Sequence, residues 1–328
     1  MTTNTGTGPD TEPVLIDRHP EPADMRAEIL EGLEAAGQKS TPAKYLYDAR
    51  GSELFDTITG LDEYYPTRTE LSILEQHGDA ISSEVGAGAV VIEPGAGGSL
   101  KISKLLSALD QPAGYIPIEI SRTHLASLAS DIASEFPTID VVSICADFTQ
   151  PVEFDDAAPE GRRLVFFPGS TIGNLDSAER HELLKRFAEI MGPTGLLLIG
   201  TDLQKPTDVL IPAYDDGEGV TAAFNRNLLF RLNRELDADF AVDRFLHEAR
   251  YNDEAHRIEM HLVASRDERV KIGGRLIEFK AGESIHTENS HKFTIDSFNM
   301  EAVTSGLIPI KTWTDPRSYF ALRLYRSS

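Results

Sequence analysis

The sequence predicts a doubly wound, mainly parallel α/β sheet that carries a second, smaller α+β unit. Three observations predict it. Five apolar runs alternate with helix-period segments between residues 89 and 202. A glycine knot, Pro94-Gly95-Ala96-Gly97-Gly98, separates the first run from its helix. After Asp202 the alternation stops, hairpin-like strands follow, and a final helix with two strand patterns closes the chain.

In order along the chain, residues 1–20 are polar and read as a disordered tail. The segment 21–37, EPADMRAEILEGLEAAG, places Met25, Ile29 and Leu33 on one helical face behind an acidic first turn. Residues 39–66 hold short aromatic segments with turn signals and no long period. A helix over 67–86 leads into AVVIEP, whose unbroken apolar run suits a strand covered on both faces. SLKISKLLSAL then has helical spacing. YIPIEI (115–120), IDVVSICADF (139–148), RRLVFFPG (162–169) and GLLLIGTD (195–202) supply four further strands, with helices at 121–135 and 177–191. Beyond them come a helix at 219–240, the hairpin-like strands, a helix near 294–306, and the strands LIPIKTWTD and YFALRLYR. Those last elements complete a seven-stranded sheet, which makes 205–294 an insertion before its final strands.

Composition narrows the function. With 328 residues the chain exceeds the usual size of one core. Lys plus Arg number 31 against 53 Asp plus Glu, a formal net charge of −22. That surface repels phosphate backbones and anionic membranes, and no Lys/Arg cluster offsets it, so nucleic acid and membrane are disfavoured as partners. No apolar stretch reaches the length of a membrane span, and no basic-then-apolar leader pattern opens the chain. The one cysteine, Cys145, lies in an apolar run and reads as a small buried hydrophobe of a reducing, cytoplasmic compartment.

The glycine knot identifies a type of pocket. Glycines at a strand end let backbone approach a ligand closely. A dinucleotide fingerprint requires a glycine where this chain has Leu100, and a P-loop requires Gly-Lys-Ser/Thr, which is absent. What remains, acidic-x-Gly-x-Gly from Glu93 to Gly97, is common in methyltransferases that use S-adenosylmethionine (SAM); a tight turn without a ligand is the competing reading. In open α/β sheets ligands lie at the carboxyl ends of strands. There, Glu119 ends the second strand, where a carboxylate suits two ribose hydroxyls. Asp147 and Phe148 end the third, an acceptor beside an aromatic wall, and Gly169 to Asn174 follow the fourth.

Longer strings carry a resemblance. YDARGSELFDTITGLDEYYPTRTE, GSTIGNL, GTDL, AYDDGEGVTAAFNRNLLFRLNREL, HRIEMHL and TENSHKF resemble the histidine N-alpha-methyltransferases of ergothioneine biosynthesis, from about Ala43 to the C-terminus. The resemblance implies a class I SAM-dependent methyltransferase fold, a Rossmann-like seven-stranded sheet formed by 67–204 and 295–328. It implies a second α+β domain for the amino acid, formed by 21–66 and 205–294. The methyl donor's site would use Gly95, Lys101, Glu119, Asp147 and Phe148, with Tyr47 nearby. The histidine site would use Tyr64, Asn174 and Tyr214 at the amino and carboxylate groups, and Glu288 and Ser290 at the imidazole. Phe224 and Met260 would be its apolar walls. Tyr64 and Asn174 are the candidates nearest the reacting amine. The implied reaction is transfer of three methyl groups from SAM to the α-nitrogen of L-histidine, giving hercynine, by a monomer without a metal.

The chemistry of these side chains agrees with that reading. A neutral imidazole offers one donor and one acceptor, which a carboxylate and a hydroxyl at i and i+2 of one strand can meet together. Phenol and amide groups bind a carboxylate without being methylated, and tyrosine faces stabilise a quaternary ammonium. Two readings stand beside it: a relative acting on tryptophan or tyrosine, which Glu288 and Ser290 argue against, and a non-catalytic nucleotide-binding homologue, which the full set of pocket residues argues against.

Overall fold

The computed structural model describes residues 13–18, 24–152 and 158–328. The strands in chain order are β1 (Val14–Asp17), β2 (Lys39–Ser40), β3 (Ala89–Pro94), β4 (Gly114–Glu119), β5 (Asp140–Cys145), β6 (Arg162–Phe167) and β7 (Leu196–Asp202). They continue as β8 (Phe245–Asn252), β9 (Arg257–Ala264), β10 (Glu268–Ile272), β11 (Arg275–Phe279), β12 (Ser284–His291), β13 (Leu307–Thr314) and β14 (Phe320–Ser327). The helices are α1 (Met25–Leu33), α2 (Ala49–Thr59), α3 (Tyr65–Val85), α4 (Ser99–Ala108), α5 (Arg122–Glu135), α6 (Ser177–Met191), α7 (Thr207–Leu210), α8 (Val220–Glu235) and α9 (Ile295–Thr304).

The central sheet has the order β1-β5-β4-β3-β6-β7-β14-β13. Pairing is parallel from β1 through β7 and antiparallel at β14, which lies between β7 and β13. Order reverses between β3 and β6, so the ligand crevice of such a sheet opens at the carboxyl ends of those two strands. The interiors of β3 to β7 are mainly apolar, as burial under helices on both faces requires, and β3 and β7 are buried at every position, the acids Glu93 and Asp202 included. Cys145 is buried at the end of β5, as a small core side chain.

Two departures from the sequence reading concern the N-terminal part. The tail was expected to be disordered over 1–20, yet Val14–Asp17 form an eighth strand, β1, parallel to β5. Val14, Leu15 and Ile16 are branched apolar residues, Ile16 packs on the core, and β1 covers what would otherwise be the open edge of β5. Residues 1–12 and 19–20 of that tail lie outside the described residues, as do residues 21–23 of the segment read as a helix over 21–37. The aromatic stretch 39–66 contains a true helix, α2, hidden because only Leu54 and Ile58 mark its buried face together with Gly51. Gly51 is required there: a Cβ would stand 1.8 Å from the Leu46 carbonyl oxygen.

The insertion and the N-terminal region build their own four-stranded sheet, β2-β12-β9-β8, with β10 and β11 a separate hairpin. Its apolar side chains, from Ile29 and Tyr45 through Phe224 and Leu228 to Ile285, cluster apart from the two cores on the faces of the central sheet. The two sheets are stitched where β7 and β12 end. Phe293 N donates to the Asp202 carbonyl (2.9 Å), and Gln204 N donates to the Phe293 carbonyl (2.9 Å). This stitch sets the end of β12 beside the carboxyl ends of the central strands.

Gly200 on β7 permits a further close approach. An added Cβ would lie 2.1 Å from Glu70 Oε1, a carboxylate with no exposed surface that reaches over from α3. Gly200→Ala must therefore drive Glu70 off its partners. The expected cost is about 3 kcal/mol, from overpacking and from a displaced buried charge. Thermal unfolding checks this: a melting temperature equal to that of the parent would mean that Glu70 is not held against the strand.

Candidate active site

The donor end of the crevice is set by backbone. Gly95, immediately after β3, has φ +69°, and the N–H groups of Gly95 and Ala96 both donate to the Ile118 carbonyl of β4 (2.8 and 3.2 Å). A Cβ on Gly95 would come 3.0 Å from the Phe148 ring, so the glycine lets that ring lie over the loop. Phe148 is held edge-on by Phe167 at 5.8 Å. Asp147 folds its Oδ1 back onto Thr149, accepting from N (2.8 Å) and Oγ1 (2.7 Å), an Asx turn that fixes where the carboxylate points. Glu119 Oε1 accepts from Ser121 N (2.9 Å), and burial pushes its carboxyl above the ordinary range. Gly95, Glu119, Asp147 and Phe148 thus come to one edge of the sheet, as the order of strand ends requires. A bare loop, a carboxylate and a ring in this arrangement fit a nucleoside-bearing methyl donor.

Lys101, in the first turn of α4, does not stand free. Its Nζ pairs with Glu70 Oε2 at 2.7 Å, and Glu70 also accepts from Gly169 N through both oxygens (3.1 and 2.9 Å). Glu93 likewise turns away from the loop, accepting from the Tyr115 hydroxyl inside the sheet. Burial pushes it up to about 7, against the Tyr115 hydrogen bond and the Lys101 charge.

At the other end, Glu288 and Ser290 lie on β12, paired across to Met260 and Ile258 of β9. A bulge between His286 and Glu288 turns Glu288 and Ser290 inward together, while His286 and Asn289 take positions of intermediate burial. Glu288 Oε1 accepts from Asn174 Nδ2 (3.2 Å) and from the Tyr47 hydroxyl (3.3 Å). Burial pushes Glu288 up to about 7, opposed by Tyr47 and by the Lys292 charge. Tyr47, expected near the donor residues, thus reaches Glu288 of β12 with its hydroxyl. Its ring meets Phe55 and Phe224 edge-on (5.5 and 5.3 Å), and Tyr64 meets Phe55 and Tyr214 in the same way (6.1 and 6.2 Å). Met260 and Phe224 are buried among these rings' cluster. Burial, then Tyr214 and Glu288, push the Tyr64 hydroxyl well above its ordinary value, so it remains a phenol at neutral pH.

Ser290 does not act alone. Its Oγ lies 2.7 Å from the Tyr214 hydroxyl, and Lys292 Nζ reaches both, at 2.7 and 2.8 Å. Lys292 also pairs with Asp202 Oδ2 at 2.8 Å. Asp202, at the end of β7, accepts from the Tyr65 hydroxyl (2.6 Å) and binds Lys205 through Oδ1 (2.5 Å). Against the cost of burial, the two lysines hold the Asp202 carboxyl below its ordinary range. The loop after β6 joins the two ends. Gly169 binds Glu70 beside Lys101, Ser170 Oγ accepts from Asp202 N (2.8 Å), and Asn174 reaches Glu288.

Five residues of this site escaped the sequence reading: Glu70, Phe55, Asp202, Lys205 and Lys292. Two left a trace. Glu70 is an acid on the buried face of TELSIL, and Lys292 continues the alternation Glu288, Ser290 by two. A third group, Glu259, His261 and His286, has ligand atoms within 4.8 Å of one another. It is a poor metal site, because Arg257 already holds Glu259 (2.6 Å) and the two imidazoles stack at 17°. Lone pairs in nearly parallel ring planes do not converge on one ion.

A family model described as "Histidine-specific methyltransferase, SAM-dependent" matches residues 25–327. The histidine N-alpha-methyltransferase of Mycolicibacterium smegmatis is 44% identical over 305 residues, covering 92% of this chain and 94% of that protein. The histidine N-alpha-methyltransferase of Mycobacterium tuberculosis is 42% identical, with the same coverage of each. Ergothioneine biosynthesis protein 1 of Neurospora crassa is 29% identical over 292 residues, which span 86% of this chain and 33% of that protein. The match takes in the second sheet, the central sheet from β3 to β14 and the loop that joins the two ends of the crevice: the chain belongs to the SAM-dependent, histidine-specific methyltransferases.

Proposed function

We propose that this protein transfers three methyl groups from SAM to the α-amino nitrogen of L-histidine, giving hercynine for ergothioneine biosynthesis. The observation that carries the proposal is the hydrogen bonding of Glu288 to Asn174 and Tyr47, beside the Ser290–Tyr214 pair, with Asn174 on a loop anchored through Gly169 at the donor end. When bound, SAM supplies an electrophilic methyl on a sulfonium. Gly95, Glu119, Asp147 and Phe148 are the residues proposed to hold its nucleoside, and Lys101 with Glu70 fixes the helix beside it.

Each protein group has a task set by its chemistry. Glu288 accepts from the imidazole N–H, and Ser290 meets the other ring nitrogen. Asn174 donates to the carboxylate and Tyr214 lies beside the amino group, which turns the α-amine toward the donor end. Displacement at a methyl carbon needs the amine lone pair in line and close, so this orientation is the main contribution of the site. Each transfer consumes a neutral amine. Tyr64, which stays protonated, is placed to share a hydrogen bond with the amine or its water and does not serve as a phenolate base. The rings of Tyr64 and Tyr214 face the trimethylammonium of the product. The domain roles follow: 67–204 with 295–328 holds SAM, and 21–66 with 205–294 holds histidine. The second reading, a relative acting on tryptophan or tyrosine, gives Ser290 no second ring nitrogen to meet.

Incubation with SAM and histidine should yield an end product carrying three methyl groups on the α-nitrogen. Fragmentation spectra showing a methyl on the ring, or a monomethyl product at saturating donor, would overturn the orientation. Glu288→Ala should raise KM for histidine about ten- to a hundred-fold, the loss of a charge-assisted hydrogen bond, with tryptophan and tyrosine less strongly rejected. Steady-state kinetics on the three amino acids check it.

Glu288 also links site to stability. Its folded pKa, about 7, lies above the ordinary 4.5, so folding favours the neutral form. The group's cost to stability is absent below about 4.5, grows as pH rises, and is complete above about 7. Glu288→Gln should therefore raise the melting temperature of the ligand-free protein at pH 8, and change it little at pH 5. Equal shifts at the two pH values would contradict a buried, reluctant carboxylate.

A further inference from the structure

A lysine ammonium has three N–H donors and no acceptor. Lys292, with no exposed side-chain surface, places all three: on Asp202 Oδ2 (2.8 Å), on the Tyr214 hydroxyl (2.8 Å) and on Ser290 Oγ (2.7 Å). The two hydroxyl oxygens are themselves 2.7 Å apart. Burial, with Asp202 next, pushes Tyr214 well above its ordinary value, so both hydroxyls keep their protons.

Counting protons then fixes what the pair can do. Each oxygen accepts from Lys292. One of the two hydroxyl protons lies in the bond between them, and one remains. When Tyr214 donates to Ser290, both lone pairs of Ser290 are filled and its proton points outward, which makes Ser290 a donor that cannot accept. When Ser290 donates to Tyr214, the outward proton belongs to Tyr214 and Ser290 keeps one lone pair; the phenol is the stronger acid and the better donor, so the first arrangement is the favoured one. Without the lysine, either hydroxyl is free to turn a lone pair to the ligand instead.

We propose that Lys292 is a specificity-determining positioning residue: by donating to both hydroxyls it makes the Ser290–Tyr214 pair present a proton, so that the ring beside Ser290 must offer an acceptor. This rests on the reading that Glu288 and Ser290 face the amino acid's ring. Glu288 demands an N–H and Ser290 then demands a lone pair. Neutral imidazole satisfies both; imidazolium has two N–H groups, indole has an N–H and no ring acceptor, and phenol has no ring nitrogen. Lys292 thus acts through the hydroxyls and touches no reacting atom.

Lys292→Met is the informative variant, because Asp202 keeps Lys205 as partner and methionine matches the unbranched stem. Kinetics are measured for the parent, Lys292→Met, Ser290→Ala and the double variant, with S-adenosylhomocysteine binding followed by calorimetry. Lys292→Met should raise KM for histidine about ten-fold or more and leave S-adenosylhomocysteine affinity within about two-fold. In the Ser290→Ala background the same change should add less than about two-fold, since no serine hydroxyl is left to orient. Losses that multiply fully in the double variant, or weaker S-adenosylhomocysteine binding in step with KM, would show a structural role and overturn the proposal. A measurement on the parent enzyme needs no variant to fold. A histidine analogue with pyrrole in place of imidazole keeps the N–H and loses the acceptor, and should lose about ten-fold or more in kcat/KM. Turnover within about two-fold of histidine would overturn the donor assignment. Failure of the parent to methylate histidine would instead overturn the substrate reading on which the inference rests.

Discussion

The buried carboxylate of Asp202, held between Lys205 and Lys292, is the constraint on which the arrangement of the site depends. Two cations and one anion without water are tolerated only if every hydrogen-bonding position is used, and removing one member of such a pair typically costs about 3–5 kcal/mol. The partners come from three places: the end of β7, the residue following β12, and Tyr65 at the start of α3. A slide of one sheet against the other would separate them. The backbone bonds between Asp202, Gln204 and Phe293 run alongside and oppose the same motion. The crevice between the sheets is thereby held in one geometry, which a reaction limited by alignment requires.

Around that centre the acids are driven apart by their surroundings. Asp202 is held low by two lysines, while Glu288 and Glu93 are both pushed by burial to about 7. Glu93 spends its oxygen on Tyr115 inside the sheet, which makes it structural. Glu288 lies among phenols and an amide, groups that stabilise its anion only weakly. An N–H from a ligand is the partner its surroundings withhold. Such a carboxylate costs the empty protein stability and returns it on binding, the pattern expected of a recognition group on a rigid lining.

Much of this was legible in the sequence because parts of it are local. The alternation from residue 89 to 202 needs only neighbouring residues, and the last helix and two strands completed the sheet as read. Glu288 and Ser290 could be placed on one face by parity because both follow the bulge; parity counted from His286 through the bulge fails for Asn289. What stayed hidden is long-range. Glu70 meets Lys101 and Gly169 through folding alone, and Lys292 meets Asp202 across 90 residues of chain. The helix α2 was masked by its short apolar face, and β1 by the polar residues around it. The contact of Tyr47 with Glu288 stayed hidden because the two lie 241 residues apart.

The net charge of −22, which first argued against nucleic acid, bears on the reaction itself. At neutral pH SAM carries a sulfonium, an ammonium and a carboxylate, and so a net positive charge, whereas S-adenosylhomocysteine has lost the sulfonium charge. Histidine with a neutral ring is a zwitterion of no net charge. The negative field of the protein attracts the donor, leaves the acceptor unaffected at long range, and releases its hold on the by-product once the methyl has moved. The cations lining the crevice do not cancel this at a distance, because Lys101 faces Glu70 and Lys205 and Lys292 share Asp202, a surplus small against the net charge of −22. The acidity of the protein therefore favours exchange of spent donor for fresh between successive transfers.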